Sequence, residues 1–571
     1  MKRSLAAFLY LLPCLGAVVS YGGKAAQNED KSVWYLPLVS GDSALLSGLV
    51  LDAQGPVPGA VVRVQTTTNF TTTDADGRFL MPGLDPGAPV RLTAWADGYY
   101  IGGGQAYLPG DQAVTLFLTP LAPADNANYA WLSAHAASGL EASCEHCHSD
   151  GSGQLPYDEW LTDAHSQTTH NQRFLTMYLG TDRFGNQSPL TERICTPDYG
   201  CYPLPPDPNK PYYGPGYKLD FPNSAGNCAA CHAPAAAVNN PLGVDPSRLT
   251  GVDSEGVACD FCHKIWDVQL DPETGLPQDN MPGVLSYELR RPPQGHQFFA
   301  GPFDDVAPGE DTYSPLQRES AYCAPCHTAV FWGTRVYNSY GEWLDSPYSD
   351  PGSGQTCQDC HMPPNGSDHF ARLDQGGLRR DPHLLASHRM PGAADEALLQ
   401  AAVTMDVAAE RDQDEVQVTV TIINDQTGHH VPTGSPLRHL LLLVEAEDSS
   451  GAALTQLSGP VVPDWGGVGD PEAGYYSGLP GTGYAKILQE RWTNVSPSGA
   501  YWNHTVILSD NRLPAMGSDQ TQYVFAAPAT GSVDLAARLL FRRAFITLSD
   551  QKSWPLTDIL MEQTTLHLPA Q

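Results

Sequence analysis

Long apolar runs are scarce in this chain. Beyond the N-terminal segment, no stretch approaches the length that a transmembrane helix needs, which excludes a bundle of membrane-spanning helices. Basic residues are scarce too: 31 Lys and Arg stand against 63 Asp and Glu, for a formal charge of −32. Such a surface repels nucleic acid and anionic lipid, and suits solubility and cationic or metal-bearing partners. Bare Cys-x-x-Cys pairs are missing altogether, because His follows every one of them. A lone thioredoxin-like redox pair is thereby excluded. No Cys-x-x-Cys-Lys variant occurs either.

What is present is the pattern Cys-x-x-Cys-His, five times over. The motifs are Cys144, Cys147, His148; Cys228, Cys231, His232; Cys259, Cys262, His263; Cys323, Cys326, His327; and Cys357, Cys360, His361. This is the attachment signature of c-type haem: two thiols become thioethers and the adjacent His is the proximal iron ligand. A zinc ribbon shares one ion between two pairs, and five pairs cannot be divided so. Scattered disulfides give no reason for the invariant His. The expected cofactors are five covalently bound haem c groups. Of the thirteen cysteines, three lie outside the motifs. Cys14 sits in the N-terminal apolar run. Cys195 and Cys201 flank a short turn and are expected to form a structural disulfide.

Lys2 and Arg3, the apolar run Leu5 to Val19, and small residues at Val18 and Ser20 read as an export signal over 1–22, although the run could stay as an anchor. The expected location is extracellular or at the cell surface, rather than a periplasm-like space. The chain divides further. Short β-rich runs separated by Gly and Pro turns over 44–120 predict a small β-sandwich. Residues 125–395 hold all five motifs among Pro, Gly, Tyr and His, and predict a haem-packed, mostly α or irregular cytochrome c domain. The spacing of the motifs predicts two haem pairs, second with third and fourth with fifth, and one haem apart. Residues 400–571 turn β-rich again and predict a second sandwich-like domain, with 459–501 as a surface excursion.

Eighteen histidines are present and five are proximal, leaving thirteen for the opposite iron faces. His135, His165, His296, His388 and His429 are the expected distal ligands, with His170, His369, His383 and His430 in reserve. An internal repeat aligns Tyr157 to His165 with Tyr340 to Tyr348, but Tyr348 stands where His165 does. The fourth motif therefore needs a ligand from elsewhere, and His429 or His388 is expected to cross over to it.

The segments Gly48 to Ala60, Thr73 to Phe79 and Ala96 to Tyr99 resemble the carboxypeptidase regulatory-like, or transthyretin-like, domain. Within them Asp74 and Asp76 are read as a turn, since the ligand set is too short for calcium. Tyr157 to His165, Cys357 to Pro363, and Gly428 to Gly434 with Arg438 following resemble the multihaem cytochrome c superfamily that includes the tetrahaem partners of hydroxylamine oxidoreductase. That resemblance implies electron transfer, and some similar extracellular cytochromes form filaments. Five motifs and the fused β unit depart from the tetrahaem pattern. The expectation is an electron carrier rather than an enzyme, with redox proteins, copies of itself or extracellular acceptors as partners. No nucleic acid and no membrane span after signal removal are expected. The alternative is a reductase of small nitrogen or sulfur compounds with one open haem.

Overall fold

The structure, a computed structural model, describes residues 44–111, 113–136, 143–198 and 200–570. The expected export signal and Cys14 lie outside them. Among the described residues no helix is long and apolar enough to cross a membrane.

The chain opens with seven strands: β1 (Ala44–Leu51), β2 (Val61–Val64), β3 (Phe70–Thr72), β4 (Arg78–Leu84), β5 (Val90–Trp95), β6 (Gly102–Tyr107) and β7 (Val114–Phe117). They form two sheets, in the orders β4-β1-β7 and β3-β2-β5-β6. Alternation drives the packing: in β4, Phe79 and Met81 turn inward while Arg78 and Leu80 face out. Leu46, Val50, Val62, Phe79, Met81, Leu92 and Leu116 fill the space between the sheets. Gly48 must be Gly, because a Cβ there would meet the Val114 carbonyl at 2.2 Å and the Phe79 ring at 2.6 Å. Asp74 Oδ1 accepts the backbone N–H groups of Asp76 and Arg78, so this acidic pair caps a turn, as expected.

The middle of the chain has little regular structure. Its helices are short, the longest being Gln172–Leu179, and small two-stranded ribbons connect them. A mostly α reading overstates the helix content; pieces this short are marginal alone and depend on what they pack against. Cys195 and Cys201 pair across the ribbon Arg193–Thr196 and Gly200–Pro203 and form the expected disulfide.

The C-terminal region contains a four-stranded sheet and a five-stranded sheet. The first orders Thr404–Asp412, Glu415–Ile423, Ser518–Ala526 and Gln456–Ser458. The second orders Thr505–Asp510, Gly481–Glu490, His439–Asp448, Val533–Arg542 and Asp558–Leu568. Val416, Val418, Val420 and Ile422 meet Leu440, Leu442 and Val444 in one core. The segment 459–501 is not wholly a surface excursion. Gly481–Glu490 is an almost fully buried strand, and even its Lys486 is covered.

The N-terminal sandwich is bolted to the middle region by charge. Arg63 binds Asp304 through two hydrogen bonds of 2.7 and 2.9 Å. The Thr66 backbone N–H donates to Asp305, which also pairs with buried Arg380. Arg380 lies over the Phe303 and Phe370 rings, and Phe370 stacks on His148. The sandwich thus reaches the first motif through three side chains.

Candidate functional site

Each motif occupies about one helical turn, for example Cys144–His148 and Cys357–His361. Thr356 caps the latter through a reciprocal pair of hydrogen bonds with Asp359. In the third motif buried Asp260 pairs with Lys264 and accepts from Tyr129 Oη (3.0 Å) and Leu132 N (2.8 Å). These bonds tie the segment carrying His135 to Cys259.

The five motifs form a single connected array. Cys144 stands beside Cys259, Cys231 beside Cys326, and Cys323 beside Cys357. Tyr322 Oη donates to the Cys262 carbonyl at 2.9 Å, linking third to fourth. The second and third share an apolar cluster, and the fourth and fifth meet, as spacing suggests. The first is not apart, however. It packs on the third through Tyr157 and Trp160 of the repeat, a contact that linear spacing cannot show.

Three motif imidazoles share one arrangement. His148, His263 and His361 each place Nδ1 on a backbone carbonyl, of Phe370 (2.7 Å), Ala300 (2.7 Å) and Pro391 (2.8 Å). A carbonyl only accepts, so Nδ1 carries the proton and Nε2 keeps a bare lone pair, as a metal ligand requires. Burial pushes His327 down to about 3 and His232 to about 4, so both are neutral bases at pH 7.

Two expected distal histidines stand beside motif histidines. His165 and His327 have ring centres 6.2 Å apart, and His429 and His361 6.3 Å apart. Two imidazoles on opposite sides of one ion, at metal–nitrogen distances near 2.0 Å, have ring centres roughly 6.3 Å apart. Both Nδ1 atoms are anchored: His165 to Asp163 (2.7 Å) and His429 to the His430 carbonyl (2.9 Å). The spacing and tautomers fit bis-imidazole iron. The expected crossing differs in detail. The fourth motif is faced by His165 of the first module, while His429 faces the fifth. Tyr348 explains why: its hydroxyl donates to the Asp425 carbonyl (3.2 Å), and its ring packs on Gly428, so it seats the turn that carries His429.

His388 is pushed down to about 4 by burial, with His263 and then His148 adding to the effect. It stands near the third and first motifs. His135 places Nδ1 on Tyr157 Oη (2.8 Å) and, with His170, Trp160 and Glu255, lines a cavity of about 230 Å³. His296 is not brought to a motif. Its side chain is 63% exposed and bonds Glu310, because its Gly- and Pro-rich turn lies on the surface.

The repeat holds two further residues that motif reading passes over. Glu159 and Glu342 occupy the same position in it, and both are buried. Glu159 accepts from His388 N (2.7 Å), Ser387 Oγ (2.8 Å) and Asn365 Nδ2 (2.8 Å). Glu342 accepts from Thr433 Oγ1 (2.5 Å) and Arg512 Nη1 (2.8 Å), beside His430. Each glutamate therefore clamps a loop that carries an expected distal histidine. The only signal was the identity of this residue in both copies of the repeat.

A model of the carboxypeptidase regulatory-like domain matches residues 46–119, so the chain carries that domain at its N-terminal end. No curated protein sequence matches the chain. Among solved structures, the crystal structure of a penta-heme cytochrome c552 from Thermochromatium tepidum aligns at 20% identity and a TM-score of 0.49, covering 74% of this chain and 97% of that one. The Northeast Structural Genomics Consortium target SoR45 aligns over 29% of this chain and 85% of its own, at 11% identity and a TM-score of 0.13. A PapD-like domain of human CEP192 aligns over 30% and 82%, at 9% identity and a TM-score of 0.11.

Proposed function

We propose that the chain is an exported multihaem c-type cytochrome that passes electrons along five covalently held haems. Its ten motif cysteines form the thioethers, and His148, His232, His263, His327 and His361 are the proximal ligands. His165 closes the site of His327 and His429 that of His361, while His135 and His388 serve the first and third motifs. The observation that carries this reading is the pair of facing imidazoles, each joining segments distant in sequence at the separation of a shared ion. Haem bound there supplies one-electron chemistry at potentials that axial ligation and burial set. The chain's own work is to hold ring planes, fix the Nδ1 protons and keep neighbouring groups in contact. Partners on this reading are redox proteins, further copies of the chain or extracellular acceptors.

Mass spectrometry of the exported chain and a redox titration test this together. Five haem additions, a missing N-terminal segment and five one-electron steps are expected. Fewer than five additions in fully matured protein would overturn the count.

A second reading, a reductase with one open haem, draws on the second motif. Among the described residues no imidazole faces His232 as His165 faces His327; instead the Phe174 ring stacks on it at 3.9 Å. Stoichiometric cyanide binding to the native ferric protein would favour this reading.

A further inference from the structure

A file of aromatic rings runs from the second motif to the surface. The Phe174 ring lies flat on His232, with ring centres 3.9 Å apart. Phe174 and Tyr178 share one face of the helix Gln172–Leu179, with centres 6.1 Å apart. Tyr178 stacks on Tyr217 at 5.5 Å, and Tyr217 meets Trp502 at 6.2 Å. The Trp502 carbonyl accepts the indole N–H of Trp332 at 2.8 Å. Tyr178, Tyr217 and Trp502 are buried, whereas Trp332 is 57% exposed and stacks on exposed His504 at 4.4 Å.

Aromatic packing alone produces contacts of this length. The hydrogen bond of Trp502 goes beyond packing. Its indole N–H donates to Asp220 Oδ2 at 2.7 Å, out of contact with solvent. The indole N–H groups of Trp95, Trp160, Trp332, Trp343 and Trp554 donate instead to hydroxyl or carbonyl oxygens. Burying an acidic side chain is costly, and a neutral carbonyl satisfies an indole as well. An indole that has lost an electron is different: its N–H turns acidic, and a carboxylate in contact takes the proton. Thr191 Oγ1 (2.5 Å) and Asn503 Nδ2 (2.9 Å) hold Asp220 in place for this. The two phenols have no such base. Tyr178 donates to the Ala225 carbonyl (3.0 Å), and Tyr217 pairs with Ser224 Oγ (2.8 Å).

We propose that these rings discharge oxidising equivalents from the second motif to the surface at Trp332, with Trp502 as the stopping point and Asp220 as its proton acceptor. The oxidant is of the peroxide class. One hydrogen peroxide takes two electrons and two protons, its O–O bond breaks, and two waters leave. Each electron passes from Trp502 toward His232 through Tyr217, Tyr178 and Phe174, while the indole proton moves to Asp220. Trp332 then returns one electron to Trp502, which takes its proton back. After two passes the Trp332 ring has lost two electrons. It takes one oxygen from water and releases two protons, which balance those the peroxide consumed. Reduction of peroxide at the second motif rests on the cytochrome reading above; the file of rings does not.

The full-length haem-loaded protein is treated with hydrogen peroxide beside Trp502→Phe and the surface variant Trp332→Phe. Oxygen insertion is mapped by peptide mass spectrometry, and haem is counted separately. Trp332 should gain oxygen in the unsubstituted protein and at least tenfold less in Trp502→Phe, with oxidation moving to Tyr178 and Tyr217. In Trp332→Phe, which leaves the interior intact, oxidation should collect on Trp502. Equal insertion at Trp332 with and without Trp502, or none at Trp502 in Trp332→Phe, would overturn the route. A second measurement needs no haem. After flash photo-oxidation by a dissolved ruthenium(III) polypyridyl, transient absorption should show a Trp radical that loses its proton at least tenfold faster than in Asp220→Asn. Equal rates would overturn the role of Asp220. An unoxidised Trp332 in a protein with haem at the second motif would overturn the discharge. The same silence without haem there, together with fast proton loss after the flash, would keep the route and remove the cytochrome reading at that motif.

Discussion

Replacing Glu159 with Ala is the most direct way to test how the distal loops are held. The carboxylate accepts from His388 N, Ser387 Oγ and Asn365 Nδ2. Its removal orphans the His388 N–H and the Ser387 hydroxyl and takes one of two partners from Asn365 Nδ2, which keeps the Gln154 carbonyl; Ser387 is buried and the other two residues are half-buried. A buried donor without a partner costs about 1–3 kcal/mol. Water reaches part of the site, so the loop loses roughly 2–4 kcal/mol of docking rather than the full sum. At about 1.4 kcal/mol per decade, its undocked fraction rises about 30- to 700-fold. The assay is the ferric spectrum of the haem-loaded protein, read for high-spin iron beside a chemical haem count. One haem should gain high-spin character with its thioethers intact, while Glu159→Gln, which keeps one acceptor oxygen, should give a smaller change. An Ala variant with an unchanged spectrum and unchanged haem count would refute the clamp. Loss of covalent haem would instead assign Glu159 to folding.

His165→Ala should turn the fourth haem high-spin, not the first, despite lying in the first module; site-resolved paramagnetic NMR distinguishes them. Gly428→Val places carbon against Trp343 and Tyr348, where even a Cβ already stands at 3.1 Å. It should weaken the fifth haem's low-spin signal and spare the fourth. Burial raises Asp311 to about 6, with Lys264 opposing. Folding therefore favours the protonated acid, and stability is lost as pH rises from the unfolded value near 3.8 to about 6. Asp311→Asn should raise the thermal midpoint at pH 7 by more than at pH 4, which scanning calorimetry at the two pH values measures.

The motifs are legible because, on the cytochrome reading, haem attachment is local chemistry: two thiols and a His within one helical turn carry it whatever the surrounding fold. The N-terminal strands were legible for a similar reason, since Arg78 to Met81 alternates in and out. Pairing across the array was not. His165 faces His327 because the chain folds back, and no spacing rule encodes that return. Tyr348 looked like a missing ligand but is a seat for the turn that delivers His429. The strand Gly481–Glu490 hid behind its glycines and Lys486. Covered on both faces, it shows no alternation to read, and Lys486 reaches Asp510 at 3.7 Å. His296 sits in a turn that resembles a ligand-bearing loop, yet its neighbour Glu310 already satisfies it at the surface.

Thiols that lie side by side across motifs make biosynthesis a race. In the compact chain Cys144 meets Cys259, Cys231 meets Cys326, and Cys323 meets Cys357. An oxidant reaching an unmodified, already compact chain would join these partners and consume six attachment points in three crosslinks. On the cytochrome reading, thioether formation must come before compaction, or a reductant must guard the thiols until it does. The Cys195–Cys201 disulfide is free of this constraint, because its partners are close in sequence and form it within their own ribbon. If the chain is exported as proposed, its route needs oxidising and reducing chemistry separated in time, and crosslinks between motifs in haem-starved cells would be the mark of the wrong order.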